Sequence, residues 1–346
     1  MNSIPSIIQR YRTLSTHRIH ELPVVILMPH SGCNCRCIMC DIWKGNKNLK
    51  QLTESNVTVL LSSLKKFNTK LVVMSGGEAL LHESFFSLCE ILVRNHIRIH
   101  LLSTGLTLKH HAENILKHID EVIVSLDGPE AVHNDIRKIS NAFQKLREGA
   151  QHLKSLKPGY RITARSVIQK QNFGQWNETI DIAKKIGLDQ ISFLPADVSS
   201  HAFNREEVWN EERQDDVRIS KADLPQLRNI AEEIISNYKN DFSSGFIAEQ
   251  PAKLRKIVQY YYAVHGLTDF PEKKCNAPWT SAVIEADGTV RPCFFHEGIG
   301  NVHRDSLDEI LNNGKAIQFR KELDVSINET CKKCVCYMHL TPTGNI

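Results

Sequence analysis

The sequence predicts an α/β fold built on a parallel sheet, followed by a smaller cysteine-bearing unit. Three observations carry that expectation. Short β-branched runs alternate with amphipathic stretches in six successive units, the pattern of strands joined by crossover helices. The units follow one another too evenly to be separate domains. Past residue 270 the pattern changes to a hairpin signal around Asp287-Gly288, flanked by cysteines.

In chain order, residues 1–22 form a polar lead-in, helical or irregular. Leu22 to Met28 then reads as a short buried strand that Pro29 ends. Further strands are expected at Leu71 to Met74, Ile97 to Leu102, Glu121 to Leu126, Ile162 to Ile168 and Gln190 to Leu194. Helical periodicity fills the intervals at Glu54 to Phe67, Ser84 to Asn95, Leu108 to His118, Asn141 to Lys154 and Trp176 to Ile186. Residues 23–195 thus make one unit. Residues 196–270 begin with a polar stretch holding a dense charge run from Glu206 to Arg218, then two helices, Ala222 to Tyr238 and Ile247 to Val264. So long a connection is a helical linker or a substrate cap, and Asp197, His201 and Arg205 at its start are candidate substrate contacts. Residues 271–346 form the last unit, with a helix at Asp305 to Asn312.

A chain of 346 residues with 41% hydrophobic residues can fill an ordinary core. No apolar run is long enough to span a bilayer and the N-terminus lacks a signal-peptide core, so the cytoplasm is expected. Ten cysteines there are metal ligands rather than disulfides. The formal charge of +4 is modest, and basic residues occur as scattered pairs, so nucleic acid is not an expected partner.

Cys33-Asn34-Cys35-Arg36-Cys37-Ile38-Met39-Cys40 directly follows the first strand. Cys33, Cys37 and Cys40 have the spacing C-x3-C-x2-C, and three thiolates on one loop hold three irons of a cubane 4Fe-4S cluster and leave the fourth open. A zinc site would need a fourth ligand from far away. Cys35 is either a spectator or a competitor for the ligand set. The motif resembles the signature of the radical S-adenosylmethionine enzymes. That resemblance implies a partial (β/α)6 barrel, with the methionyl group of S-adenosylmethionine chelating the open iron and a 5'-deoxyadenosyl radical as product. Met39 matches the apolar position that packs on adenine in that family.

If strand ends carry the cofactor, the motifs after each strand must suit it. Ser75-Gly76-Gly77-Glu78 resembles the family's Gly-Gly-Glu turn, whose backbone receives the methionyl amine. Ser103 follows the third strand. Ser125-Leu126-Asp127-Gly128-Pro129 resembles the segment of the subgroup with an extra C-terminal iron-sulfur region. Ser125 and Asp127 suit ribose hydroxyls, and Arg137 or Arg165 suits the methionyl carboxylate. Cys89, in an apolar helix, is read as a buried core residue.

In the last unit the hairpin brings Cys275 and Cys293 together, and Cys331-Lys332-Lys333-Cys334 returns to them. This set resembles the twitch domain, a shorter relative of the SPASM domain, and implies one saturated auxiliary 4Fe-4S cluster that moves electrons. A zinc clip is the structural alternative, and Cys336 is a possible substitute for Cys334. The resemblance implies hydrogen abstraction fed by an external one-electron reductant of flavodoxin or ferredoxin type. A small polar substrate, a sugar, aminocyclitol or nucleoside, undergoing oxidation is the main expectation, because 22 residues before the first strand are too few for a leader-recognition domain. A peptide maturase, a redox-neutral decarboxylase or epimerase, and a zinc-stabilised binding protein are the alternatives.

Overall fold

The computed structural model describes residues 4–205 and 207–344; Glu206, the first residue of the charge run, lies outside them. The chain opens with α1 (Ile4–Thr16) and enters the sheet at β1 (Val24–Leu27). The alternation then runs α2 (Glu54–Lys66), β2 (Leu71–Met74), α3 (Phe85–Val93), β3 (Arg98–Ser103), α4 (Ala112–His118), β4 (Glu121–Ser125). Two helices, α5 (Glu130–Arg137) and α6 (Ala142–Leu156), precede β5 (Arg161–Ile168), and α7 (Trp176–Lys185) precedes β6 (Gln190–Pro195). The linker holds α8 (Glu211–Asp215), α9 (Leu224–Asn237), α10 (Lys239–Ser243) and α11 (Pro251–Val264). The last segment comprises α12 (Ala277–Thr280), β7 (Ser281–Ile284), β8 (Thr289–Arg291), β9 (Gly300–Asn301), α13 (Leu307–Asn312), α14 (Gly314–Glu322) and α15 (Glu329–Lys333).

Local chemistry sets several of these boundaries. Thr53 and Asn56 close a capping box at the start of α2, and Ser306 and Glu309 do the same for α13. The strands are short β-branched and leucine runs whose alternate side chains are buried on both faces, as parallel strands under helices must be. Trp176, Phe85, Phe193, Leu27 and Met74 are fully buried between sheet and helices. Each such side chain contributes about 1.5–3 kcal/mol by leaving water.

The sheet has nine strands in the order β6-β5-β4-β3-β2-β1-β7-β8-β9. Strands β1 to β6 are parallel in sequence order, so their C-terminal ends share one rim. The expected hairpin forms, with Ile284 opposite Val290. It does not stand apart, because β7 pairs parallel with β1 in the register Val24↔Ser281 to Leu27↔Ile284. The end of β7 therefore points to the same rim as the cysteine loop. Among the described residues no helix is long and apolar enough to cross a membrane.

Candidate functional site

The cysteine loop leaves β1 and is held from three sides. Its backbone donates from Arg36 to the Arg137 carbonyl and from Ile38 to the Ile136 carbonyl, both at 3.1 Å, which ties it to the end of α5. Asn46 brackets Cys33, accepting from its N–H at 2.9 Å and donating to its carbonyl at 2.8 Å. The polar stretch after β6 lies against the same loop: Trp209 Nε1 donates to Asp41 Oδ2 at 2.8 Å and Arg213 donates to the Ile38 carbonyl. The Trp209 ring is flanked by the guanidinium carbons of Arg205 and Arg213, 3.8 and 4.4 Å from its centroid.

Within the loop, Cys35 is buried and its thiol is shared between the sulfurs of Cys33 and Cys37. That donation lowers the Cys33 thiol from its usual range and holds Cys37 at about 6, with the Arg137 charge adding to the effect on Cys37. Desolvation pushes Cys40 up to about 12. A buried thiol at this height binds iron as thiolate only by giving up its proton on loading.

The strand ends meet around this loop. Gly76 has φ +114 and lies against Met28 and the His30 carbonyl; a Cβ on Gly77 would sit 2.1 Å from the Gly32 carbonyl oxygen. Only glycine lets the β2 turn touch the cysteine loop this closely. Glu78 is buried and faces inward, accepting from the Ser103 hydroxyl at 3.1 Å and from Thr104 N–H at 2.7 Å. It and Ser103 brace β2 to β3, and burial raises the Glu78 carboxyl above its ordinary range. Ser125 and Arg165 are register neighbours on β4 and β5, and Ser75 directly follows β2.

Three expected roles do not fit the geometry. Arg137 is buried, with Nη2 2.5 Å from Asp127 Oδ2 and Nη1 3.4 Å from Cys37 Sγ, so it is committed to protein partners and not free for a methionyl carboxylate. Asp127 is likewise taken, its other oxygen accepting from Val167 N–H at 3.2 Å. Asp197 is buried inside its own loop, where Ser199, Ser200 and Arg205, the last at 2.7 Å, engage both of its carboxylate oxygens. Arg205 and His201 line the cleft described below.

Residues that the sequence did not single out stand here too. Gln169, just past β5, places Nε2 3.8 Å from Met39 Sδ, while its Oε1 is buried without a protein partner. An unpaired buried amide oxygen beside Met39 suits a polar ligand, as the adenosyl group would be. With three thiols on the adjacent loop, the residues fit a 4Fe-4S cluster and S-adenosylmethionine. The signal that could have found Gln169 is its position: a polar residue at a strand end, directly after an apolar run.

Cys275, Cys293, Cys331, Cys334 and Cys336 line one cavity with Lys273 and His296. Among the described residues no three cysteine, histidine or carboxylate groups converge on one point as a zinc ion demands. Thiols around a space suit a cluster, in which each iron takes its own thiolate. Burial pushes Cys293 up to about 12 and Cys331 up to about 11. A cleft of about 1010 Å³ runs from Gly76 and Gly77 to this cavity, and Phe295, His296 and Thr330 line both. Its walls carry Phe203, Phe294, Phe295 and Phe319.

Residues 27–183 match the radical SAM superfamily model, and residues 275–335 match SPASM, an iron-sulfur cluster-binding domain. A pre-heme d1 synthase of Dinoroseobacter shibae is 27% identical over 49% of this chain, a match that covers 42% of that protein. A cysteine-type anaerobic sulfatase-maturating enzyme of Clostridium perfringens is 24% identical over 90% of this chain and 86% of its own length. The crystal structure of Streptococcus suis SuiB bound to precursor peptide SuiA superposes with a TM-score of 0.66 at 14% identity, covering 94% of this chain and 72% of that one. The last likeness is one of fold. The cofactors that go with these two regions are a 4Fe-4S cluster with S-adenosylmethionine and an auxiliary iron-sulfur cluster. With its parallel rim, its cysteine loop and its C-terminal cluster-binding region, the chain belongs to the radical S-adenosylmethionine superfamily as a SPASM-type iron-sulfur enzyme.

Proposed function

We propose that the protein modifies a peptide by radical chemistry, and the observation that carries this reading is the cleft. Its volume of about 1010 Å³ is at the upper end for a small-molecule site, and four phenylalanine rings line it. Phe203 packs edge-on to Phe294 and Phe295 at centroid distances of 5.0 and 6.3 Å. Phe203 and its neighbour Asn204 both sit in the left-handed region, at φ +64 and +62, a strained turn that presents the ring to the cleft. Lys50, Glu285, Asp287 and Arg291 line the cleft beside these rings, a mix that suits the amides and the apolar side chains of a peptide together. The likeness to a sulfatase-maturating enzyme over most of both chains supports the same reading. The small polar substrate expected from the sequence has less support.

The cluster and S-adenosylmethionine supply a 5'-deoxyadenosyl radical when bound. Cys33, Cys37 and Cys40 hold that cluster, while Cys275, Cys293, Cys331 and Cys334 hold the auxiliary one. Gly76 and Gly77 offer backbone to the methionyl group, Met39 and Gln169 bound the adenosyl end, and Ser125 and Arg165 are the polar groups left for ribose and carboxylate. Arg137 fixes Cys37 rather than a ligand. The stretch around Trp209 keeps water from the cysteine loop. Electrons come from an external one-electron donor.

A tetrapyrrole is the second reading, favoured by the match to pre-heme d1 synthase and by the same apolar wall. The test is anaerobic incubation of reconstituted enzyme with reductant, S-adenosylmethionine and three deuterated panels: peptides, tetrapyrroles and aminocyclitols. Deuterium in 5'-deoxyadenosine from peptides alone supports the proposal. Transfer only from either other panel overturns it.

A further inference from the structure

The loop between β8 and β9 carries both Cys293 and His296, and it brings one residue against two cysteines of the auxiliary set. His296 Nε2 lies 3.4 Å from Cys331 Sγ. The His296 N–H donates to the Cys293 carbonyl at 3.3 Å. The imidazole is held edge-on to Phe319, with centroids 5.0 Å apart and planes at 69°. The His296 carbonyl accepts from Arg291 Nη1 at 3.0 Å, and Arg291 is itself paired with Glu285 at 3.0 Å. Ring, backbone and carbonyl are thus each fixed by a different neighbour. A thiolate on iron is only an acceptor, so the nitrogen facing it carries the proton.

We propose that His296 is the positioning residue that sets the electron affinity of the auxiliary cluster, by donating its Nε2–H to Cys331 Sγ at the wall shared with the substrate cleft. Hydrogen bonds to cluster sulfurs draw off negative charge and favour the state with one more electron, so they raise the reduction potential. Lys273 works in the same direction from the other side of the C-x2-C turn. Its Nζ donates to the carbonyls of Lys332 at 2.6 Å and Cys334 at 2.5 Å, placing a half-buried cation beside both cysteines. An auxiliary site built this way is a better one-electron acceptor than its thiolates alone would make it. His296 also separates the cleft from the cluster cavity, so the tuned sulfur lies behind the wall against which a substrate sits. The tuning belongs to the auxiliary set and holds for a peptide or any other substrate.

The experiment is anaerobic potentiometric titration followed by electron paramagnetic resonance, on reconstituted full-length protein and on the same chain with Cys33, Cys37 and Cys40 replaced by Ala, where only the auxiliary cluster contributes. His296→Leu should keep auxiliary iron at about four per chain and make reduction roughly tenfold less favourable, a fall of about 59 mV for one electron. His296→Gln, whose amide N–H can reach the same sulfur, should recover at least half of that fall. An unchanged midpoint in His296→Leu overturns the proposal. So does a Gln variant no better than Leu, which would make ring bulk the cause. Loss of auxiliary iron in both variants of a folded protein also overturns it, because His296 would then build the site rather than tune it.

Discussion

The guanidinium of Arg137 joins Cys37 to Asp127, with Nη1 3.4 Å from the thiol sulfur and Nη2 2.5 Å from the carboxylate, in a setting where all three side chains are buried. Removing one partner of such a set strands the other two. Arg137→Met should cost about 3–5 kcal/mol of stability, because the Asp127 charge is left buried and unpaired. It should also lower iron loading at the cysteine loop, since Cys37 loses a charge that favours its thiolate. Adding Asp127→Asn should recover most of the stability and none of the loading. Thermal unfolding and iron analysis of the single and double variants separate the two effects.

Gly77→Ala is expected to be more damaging than its single methyl suggests. The added Cβ would lie 2.1 Å from the Gly32 carbonyl oxygen and 3.0 Å from Cys33 Cβ, so the turn after β2 and the cysteine loop must separate. Uncoupled cleavage of S-adenosylmethionine by reconstituted protein should fall at least roughly a hundredfold, the scale for small misplacement of reacting groups. Auxiliary iron should stay at about four per chain. Wild-type cleavage would show that the two loops part without consequence.

Anaerobic protein should hold about eight irons and eight sulfides, two cubanes of four. Cys334→Ala should remove four of the eight and Cys336→Ala none. The geometry behind this is that Cys336 is exposed whereas Cys334 is half-buried, its thiol donating to the Cys336 carbonyl at 3.2 Å. Full iron in Cys334→Ala would mean that Cys336 takes its place.

Glu249 gives a pH dependence. Its Oε2 is buried without a hydrogen-bond partner, and burial raises the carboxyl from 4.5 to about 6, despite the Phe193 N–H and the charges of Lys253 and Arg165 that favour ionisation. A carboxyl raised on folding contributes its full stability below the unfolded value and loses it as pH rises through the folded one. Glu249→Gln should therefore be more stable than the parent by about 2 kcal/mol at pH 7.5. The difference should shrink as pH falls through about 6 and vanish below about 4.5. Urea titrations across that range measure it, and a gain that does not change with pH would assign the effect to packing.

The strands were legible because each is a β-branched run cut off by proline, glycine or a polar turn. Their observed ends differ from the expected ones by two residues at most, as Leu22–Met28 against Val24–Leu27 shows. Helix α5 was not legible. Its eight residues are mostly polar, and only contact with the cysteine loop shows why His133, Ile136 and Arg137 are buried. The pairing of β7 with β1 was equally hidden, since periodicity reveals that a strand exists and not which strand it will meet. The sequence suits Arg137 to a cofactor carboxylate, whereas the fold sets it between Cys37 and Asp127. Nothing in the sequence links residue 137 to residues 37 and 127, so the ion pair appears only when the chain closes on itself. His296 and Gln169 are single polar residues after a cysteine and after a strand, too sparse a pattern to distinguish from ordinary turns.

The pairing of β7 with β1 also bears on whether the auxiliary region is dispensable. Were the chain cut before Ala277, β1 would become the border of the sheet, a row of open N–H and C=O groups on Val24, Val25, Ile26 and Leu27 with no charge or proline among them. Such a border recruits other strands. The segment that carries the second cysteine set is thus the cover that keeps the first half monodisperse, and a shortened enzyme should fail by self-association before it fails by chemistry.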